Sequence, residues 1–169
     1  YGAEKLLRDA IVMPIYEGTS QIQSLMAMKD NLMGILKNPK KFFRSKMAAR
    51  WRSNSAKDPL ERRVAALQVL SYGDLQFLMT RLAGKKVSEL RKQPVGEWSS
   101  FFKEWNPKKD FALAMLHAER LTRILADVAV CELLLEQKKK FPERGEILER
   151  YLERAEPRCR FLHHEITTT

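Results

Sequence analysis

Long apolar runs, paired cysteines and a strand-like rhythm are all missing from this sequence. No apolar stretch reaches the roughly 20 residues that a bilayer-spanning helix needs, so membrane insertion is unsupported. Secretion is unsupported too, because no charged-then-apolar leader with a small-residue cleavage site opens the chain. Only two cysteines occur, Cys131 and Cys159, far apart, and Cys131 falls on the apolar side of a long helical pattern. Buried, reduced thiols are the expectation, and with them a cytoplasmic or organelle-matrix location. Glycine and proline are sparse at seven each in 169 residues, while 44% apolar and 31% charged residues describe a globular chain rich in helix formers. No segment has strand-type alternation, and no repeat of fixed period appears. The expected fold class is all-α, an antiparallel helical bundle with short connections. The length suits one domain, or one domain with an appended element, and is ample for a core.

What is present is a succession of helix starts and stops. Residues 3–10 read as a short helix and 11–18 as an extended loop that Pro14 keeps from continuing helically. Ser20 followed by Gln23 fits a capping box, and Ile22, Leu25, Met26, Leu32, Met33, Ile35 and Leu36 then recur at helical spacing to about Lys37. Asn38-Pro39 breaks that helix, and residues 40–51 can form another bearing Phe42, Phe43, Met47 and Trp51. Ser53-Asn54-Ser55 is the most linker-like composition, which places a boundary there, with residues 1–52 and 56–169 as the two domains. Asp58-Pro59-Leu60-Glu61 is the clearest helix start, with an acceptor at the cap, Pro at the first helical position and Glu reaching back. From it, Val64, Leu67, Leu70, Leu75, Leu78 and Leu82 carry a stripe to an expected stop at Gly84. After Pro94 and Gly96, the rings of Trp98, Phe101, Phe102 and Trp105 read as packing surface rather than a ligand platform. Asn106-Pro107 opens a long helix ending near Phe141-Pro142, and a last helix spans about 143–166, with a kink expected at Pro157.

One stretch has a chemical reading. In Ile15-Tyr16-Glu17-Gly18-Thr19-Ser20-Gln21-Ile22-Gln23, a carboxylate precedes a helix N-terminus, whose partial positive charge favours its ionised form. Gly18 permits close backbone approach, and Thr19 and Ser20 offer hydroxyls beside unpaired amide donors. The pattern suits a general base beside a bound phosphate or carbonyl, although by itself an acidic residue before a capped helix is usually only a solvated helix start. Other chemistry fares worse. Cys159 and His163 share a helix face near His164 and Glu165, but no second ligand pair stands at zinc spacing, so no metal is expected. His117 is isolated and reads as a packed or surface histidine.

Tyr1, the run Glu4-Lys5-Leu6-Leu7-Arg8-Asp9-Ala10 and then Ile15 to Gln23 resemble the C-terminal signature of the acyl-CoA dehydrogenases over roughly the first forty residues. That resemblance implies that Glu17 is the catalytic base, taking the proton next to the thioester carbonyl while the neighbouring carbon passes a hydride to FAD. It implies that Tyr16 lines the thioester pocket, that the amide of Gly18 helps hold the thioester oxygen, and that Thr19 and Gln21 contact the flavin dinucleotide. Base and donor on adjacent residues make chemical sense, because the proton is weakly acidic until the carbonyl is polarised. The implied partners are an acyl-CoA substrate, the rest of a longer parent chain, a homo-oligomer, and electron-transfer flavoprotein or a similar acceptor. The glycine-rich stretch that precedes this signature in the family is absent, so the chain looks like a C-terminal part and is expected to be catalytically silent and free of FAD by itself. The segment after residue 55 resembles, in position and helical character, the added C-terminal domain of the larger bacterial members.

The formal net charge of +10 needs its own account. Lys37, Lys40, Lys41, Arg44, Lys46, Arg50, Arg52, Lys57, Arg62 and Arg63 cluster around the proposed boundary, and Lys138 to Lys140 with Arg144 form a smaller group. Solvated helix faces balanced by acids elsewhere in the parent are the plain explanation. A positive field for anionic CoA or an acidic partner is a second. Nucleic-acid contact through phosphates, with Phe42, Phe43 and Trp51 interleaved, is a third, weakened by the lack of any base-reading motif. The alternative to an enzyme is therefore a basic helical module that binds nucleic acid or a protein.

Overall fold

The computed structural model describes residues 2–12, 19–90 and 112–168. Their regular structure is entirely helical: α1 (Gly2–Val12), α2 (Ser20–Lys37), α3 (Pro39–Ser55), α4 (Pro59–Leu90), α5 (Ala112–Leu116), α6 (Ala118–Lys140) and α7 (Gly145–Thr168), with a 3-10 turn at Pro142–Arg144. The fold is all-α, as composition and periodicity imply. The aromatic segment 98–105 and the helix start at Asn106-Pro107 lie outside the described residues. No helix among those described is long and apolar enough to cross a membrane.

Three helices make the centre. α6 and α7 form a hairpin closed by the 3-10 turn, and α4 packs against both. Leu78, Leu121, Ile124, Leu148, Leu152 and Ile166 are fully buried between them, each such side chain favouring the folded state by about 1.5–3 kcal/mol. α3 folds back along α4 and α2 lies on α6. Met28, Leu32 and Phe42 thereby join one continuous apolar cluster with Val64, Leu121 and Leu152. That cluster spans both sides of the boundary placed at residues 53–55.

Local signals explain most ends. The α2 backbone is interrupted at Asn38, at φ −142° and ψ 63°, and Pro39 starts α3 with the fixed φ of a first helical residue. Asp58 caps α4: Leu60 N–H donates to its Oδ1 at 3.0 Å and Arg62 N–H to its carbonyl at 3.1 Å. Lys138 of α6 pairs with the other carboxylate oxygen, Oδ2, so the cap also fixes α4 to its neighbour. Burial pushes the Asp58 carboxyl up, but the bonds from Lys138 and the amides of Leu60 and Glu61 hold it below the usual carboxylate range. The Glu61 carboxylate stands 3.6 Å from Lys139 Nζ.

Several sequence expectations shift. Ser53 to Ser55 are the last turn of α3 rather than a linker, Ser53 Oγ donating to Arg50 O at 2.8 Å, and the chain reverses at 56–58. The N-cap of α2 is Thr19, not Ser20, and it makes no side-chain cap bond; Gln23 N–H donates to Thr19 O at 3.0 Å. α4 runs through Gly84 to Leu90, because glycine costs a helix only about 1 kcal/mol unless it takes up the left-handed conformation. The long helix expected after Pro107 is divided at His117 (φ −103°, ψ 6°), whose N–H donates to Ala114 O in a tighter, 3-10-like turn. α7 stays helical from Gly145 to Thr168 with Pro157 inside it, the position at which a kink is expected.

Candidate functional site

Of the residues singled out for chemistry, Tyr16, Glu17 and Gly18 lie outside the described residues. Thr19 and Gln21 stand at the start of α2, and both are exposed. The Thr19 hydroxyl is not spent on the helix cap, and the amides of the first turn have no helical carbonyl to meet. This end of α2 is held from behind: Ser24 Oγ donates to Ser20 O at 2.7 Å, and Thr122 Oγ1 of α6 donates to Ser24 O at 3.4 Å. Deeper along the helix, Met28 and Leu32 are fully buried. A rigid helix thus presents a hydroxyl and an amide side chain immediately after the Glu17 segment. α1 buries no side chain, and its Leu6, Leu7, Ile11 and Val12 are exposed.

A groove of about 400 Å³ opens where α2, α3 and α4 meet, lined by Asp30, Gly34, Asn38, Lys41, Phe42 and Tyr72 among others. Its floor is the edge-to-face pair Phe42–Tyr72, with ring centroids 5.5 Å apart.

The cluster that could have suggested a metal disperses. Cys159 Sγ donates to Asp127 at 3.6 Å, His163 Nδ1 lies 2.5 Å from Asp74, Glu165 pairs with Arg120 at 2.9 Å, and His164 is exposed. Among the described residues no group of three or more His, Cys, Asp or Glu side chains could hold a metal ion. Burial pushes both thiols, Cys131 and Cys159, up to about 12, so neither is a nucleophile at neutral pH. They are free and buried, as the sequence implies.

Two buried acids organise the interior instead, and neither was singled out in the sequence. Asp127 of α6 accepts from Arg158 Nε at 2.8 Å and Nη2 at 2.6 Å, and from Tyr151 Oη at 2.8 Å, all on α7. Burial raises its carboxyl, but Arg158 and Tyr151 more than offset that and hold it below the usual range. In return, burial and the Asp127 contact push the Tyr151 phenol up to about 12. Asp74 of α4 is fully buried and joined to His163 of α7. Here burial prevails over His163 and raises the carboxyl. The signal for both was their phase: Asp127 falls between Ile124 and Cys131, and Asp74 between Ser71 and Leu78, on stripes otherwise made of buried residues. His117 is also buried, and desolvation, then Arg120 and Arg81, lower its pKa.

The basic cluster resolves into paired and unpaired parts. Arg63 forms an ion pair with Glu156 at 2.8 Å, and Lys138 and Lys139 pair with Asp58 and Glu61. Lys46 and Arg52 donate to the neutral amides of Gln76 and Gln68. Lys37, Lys40, Lys41, Arg44, Arg50, Lys57 and Arg62 are exposed, and among the described residues none of them pairs with a carboxylate.

No protein-family model, curated protein or solved structure matches this chain.

Proposed function

We propose that the chain is the C-terminal part of an FAD-dependent acyl-CoA dehydrogenase, with Glu17 as the base that removes the proton next to the thioester carbonyl. The observation that carries this reading is the pair of motifs, Tyr1 with Glu4 to Ala10 and then Ile15 to Gln23, in one order and at one distance. The neutral donor set at the start of α2 supports it, because the exposed Thr19 hydroxyl and Gln21 amide suit the oxygens of a flavin dinucleotide. FAD, when bound, would accept the hydride from the carbon beside the one Glu17 deprotonates. Gly18 N–H would donate to the thioester oxygen, stabilising the charge that develops as the proton leaves. Tyr16 would wall the thioester pocket. The outward apolar side chains of α1 fit a helix that packs on further parts of a parent enzyme, which we read as a homo-oligomer passing electrons to electron-transfer flavoprotein or a similar acceptor.

The test uses the full-length protein with a series of acyl-CoA substrates and an artificial electron acceptor. Glu17→Gln should lower kcat by about a hundredfold or more while leaving bound flavin unchanged. Turnover in the Gln variant close to that of the parent rejects Glu17 as the base, and a parent that neither binds flavin nor oxidises any acyl-CoA rejects the reading altogether.

A further inference from the structure

We propose that the outer face of α3 is a docking surface for an anionic lipid bilayer. The helix is held to the bundle by one side only: Phe42 and Ala49 are buried, and Phe42 packs edge-on against Tyr72 of α4. At about 100° per residue, the arc opposite that buried side carries Phe43, Met47 and Trp51, one turn apart along a line of about 12 Å. These three large side chains are 54%, 65% and 68% exposed, so nothing in the described fold covers them. Arg44 and Arg50 flank the line about 60° to either side, with Lys40 and Lys41 at its N-terminal end. α3 has six cations and no carboxylate, and its exposed cations meet none from neighbouring helices among the described residues.

An apolar ridge bordered on both sides by unpaired cations is the pattern of a helix lying in a membrane interface, where rings and thioethers enter the acyl boundary and cations meet lipid phosphates. Clusters of four to eight Lys or Arg on such a helix bind anionic headgroups. Other occupants fit less well. A nucleic acid would stack on rings, whereas Met47, at the centre of the ridge, has no π face and the cations stand at the margins. A second copy of this face would be repelled by its own charge. A specific protein partner would draw on charges of both signs to fix its register, and α3 offers only one. Because the helix is already folded and anchored, docking would not require ordering it. The proposal stands on α3 and is independent of the dehydrogenase reading.

Flotation of the full-length protein tests it, with vesicles of mixed phosphatidylcholine and phosphatidylglycerol set against vesicles of phosphatidylcholine alone. The protein should float with the mixed vesicles, sink with the neutral ones, and detach as salt is raised. Arg44→Gln with Arg50→Gln should weaken partitioning about thirtyfold, at about fivefold for each cation near the surface. Met47→Ser with Trp51→Ser should weaken it as well while the thermal midpoint holds, since both side chains face outward. Failure to float with mixed vesicles overturns the proposal, as does flotation indifferent to lipid charge and to these substitutions. Binding of duplex DNA or of a glutamate-rich helical peptide, with none to vesicles, assigns the face to that partner and overturns it equally.

Discussion

Asp127 shows what a single buried acid does here. It gathers two bonds from Arg158, one from Tyr151 and the thiol of Cys159, and so fastens α6 to α7 at one point. Asp127→Ala leaves Tyr151 without its acceptor and Arg158, half-exposed, free to seek water. We expect a loss of about 2 kcal/mol in urea unfolding at neutral pH. The sign with pH follows from the lowered carboxyl. Its stabilisation is present above the ordinary value of 3.8 and is lost as pH falls through the lower folded-state value, so variant and parent should converge in strong acid. A gap that stays constant down to that range contradicts this assignment. Asp74 works in the other direction: with its carboxyl raised by burial, its contribution is complete below 3.8 and is lost as pH rises through the raised value. The sequence carried these acids in phase with apolar stripes, yet a stripe does not name the partner. Arg158 lies 31 residues from Asp127, and His163 lies 89 from Asp74.

Among the elements, α4 has the most legible start and the least legible end. Asp58-Pro59 declares its N-terminus through chemistry that is local: a short acceptor two residues before an unpaired amide, then a ring that cannot continue the preceding strand of chain. Asp58→Ala should cost about 1–2 kcal/mol, and Asp58→Asn, which keeps the cap acceptor but loses the charge facing Lys138, about half as much. Equal losses in thermal or chemical unfolding would assign the effect to the ion pair alone. The stop at Gly84 fails for a reason of the same kind, because glycine permits a helix end without requiring one. Likewise, the division at His117 has no turn residue to announce it, and the buried ring in that tight turn is a product of packing. The one-residue difference at the start of α2 reflects two adjacent hydroxyl residues, Thr19 and Ser20, that are equally fit for the cap position.

At the scale of the whole molecule, the boundary at 53–55 runs through a shared core. Met28 and Leu32 of α2 and Phe42 and Ala49 of α3 are buried against helices from the C-terminal side. We therefore expect the full-length protein lacking residues 56–169 to lose the helical signal of α2 and α3 in circular dichroism, or to precipitate. A truncated protein that keeps both helices and its solubility would show that the C-terminal part folds apart from them. The same scale separates the two apolar faces of the N-terminal helices. Inner positions complete the core, whereas Ile22, Met26, Phe43, Met47 and Trp51 are exposed.

By itself the sequence determined the all-α class, the break at Asn38-Pro39, the cap at Asp58 and the unpaired, buried thiols. Each of these rests on spacing or on contacts within a few residues, which the order of amino acids records directly. The tertiary structure alone decided which apolar stripes found partners, which acids were buried and by whom they were paired, and which of the many cations were left without a carboxylate. Periodicity shows that residues share a face, but the neighbour that covers the face is set by close packing among helices far apart in the chain.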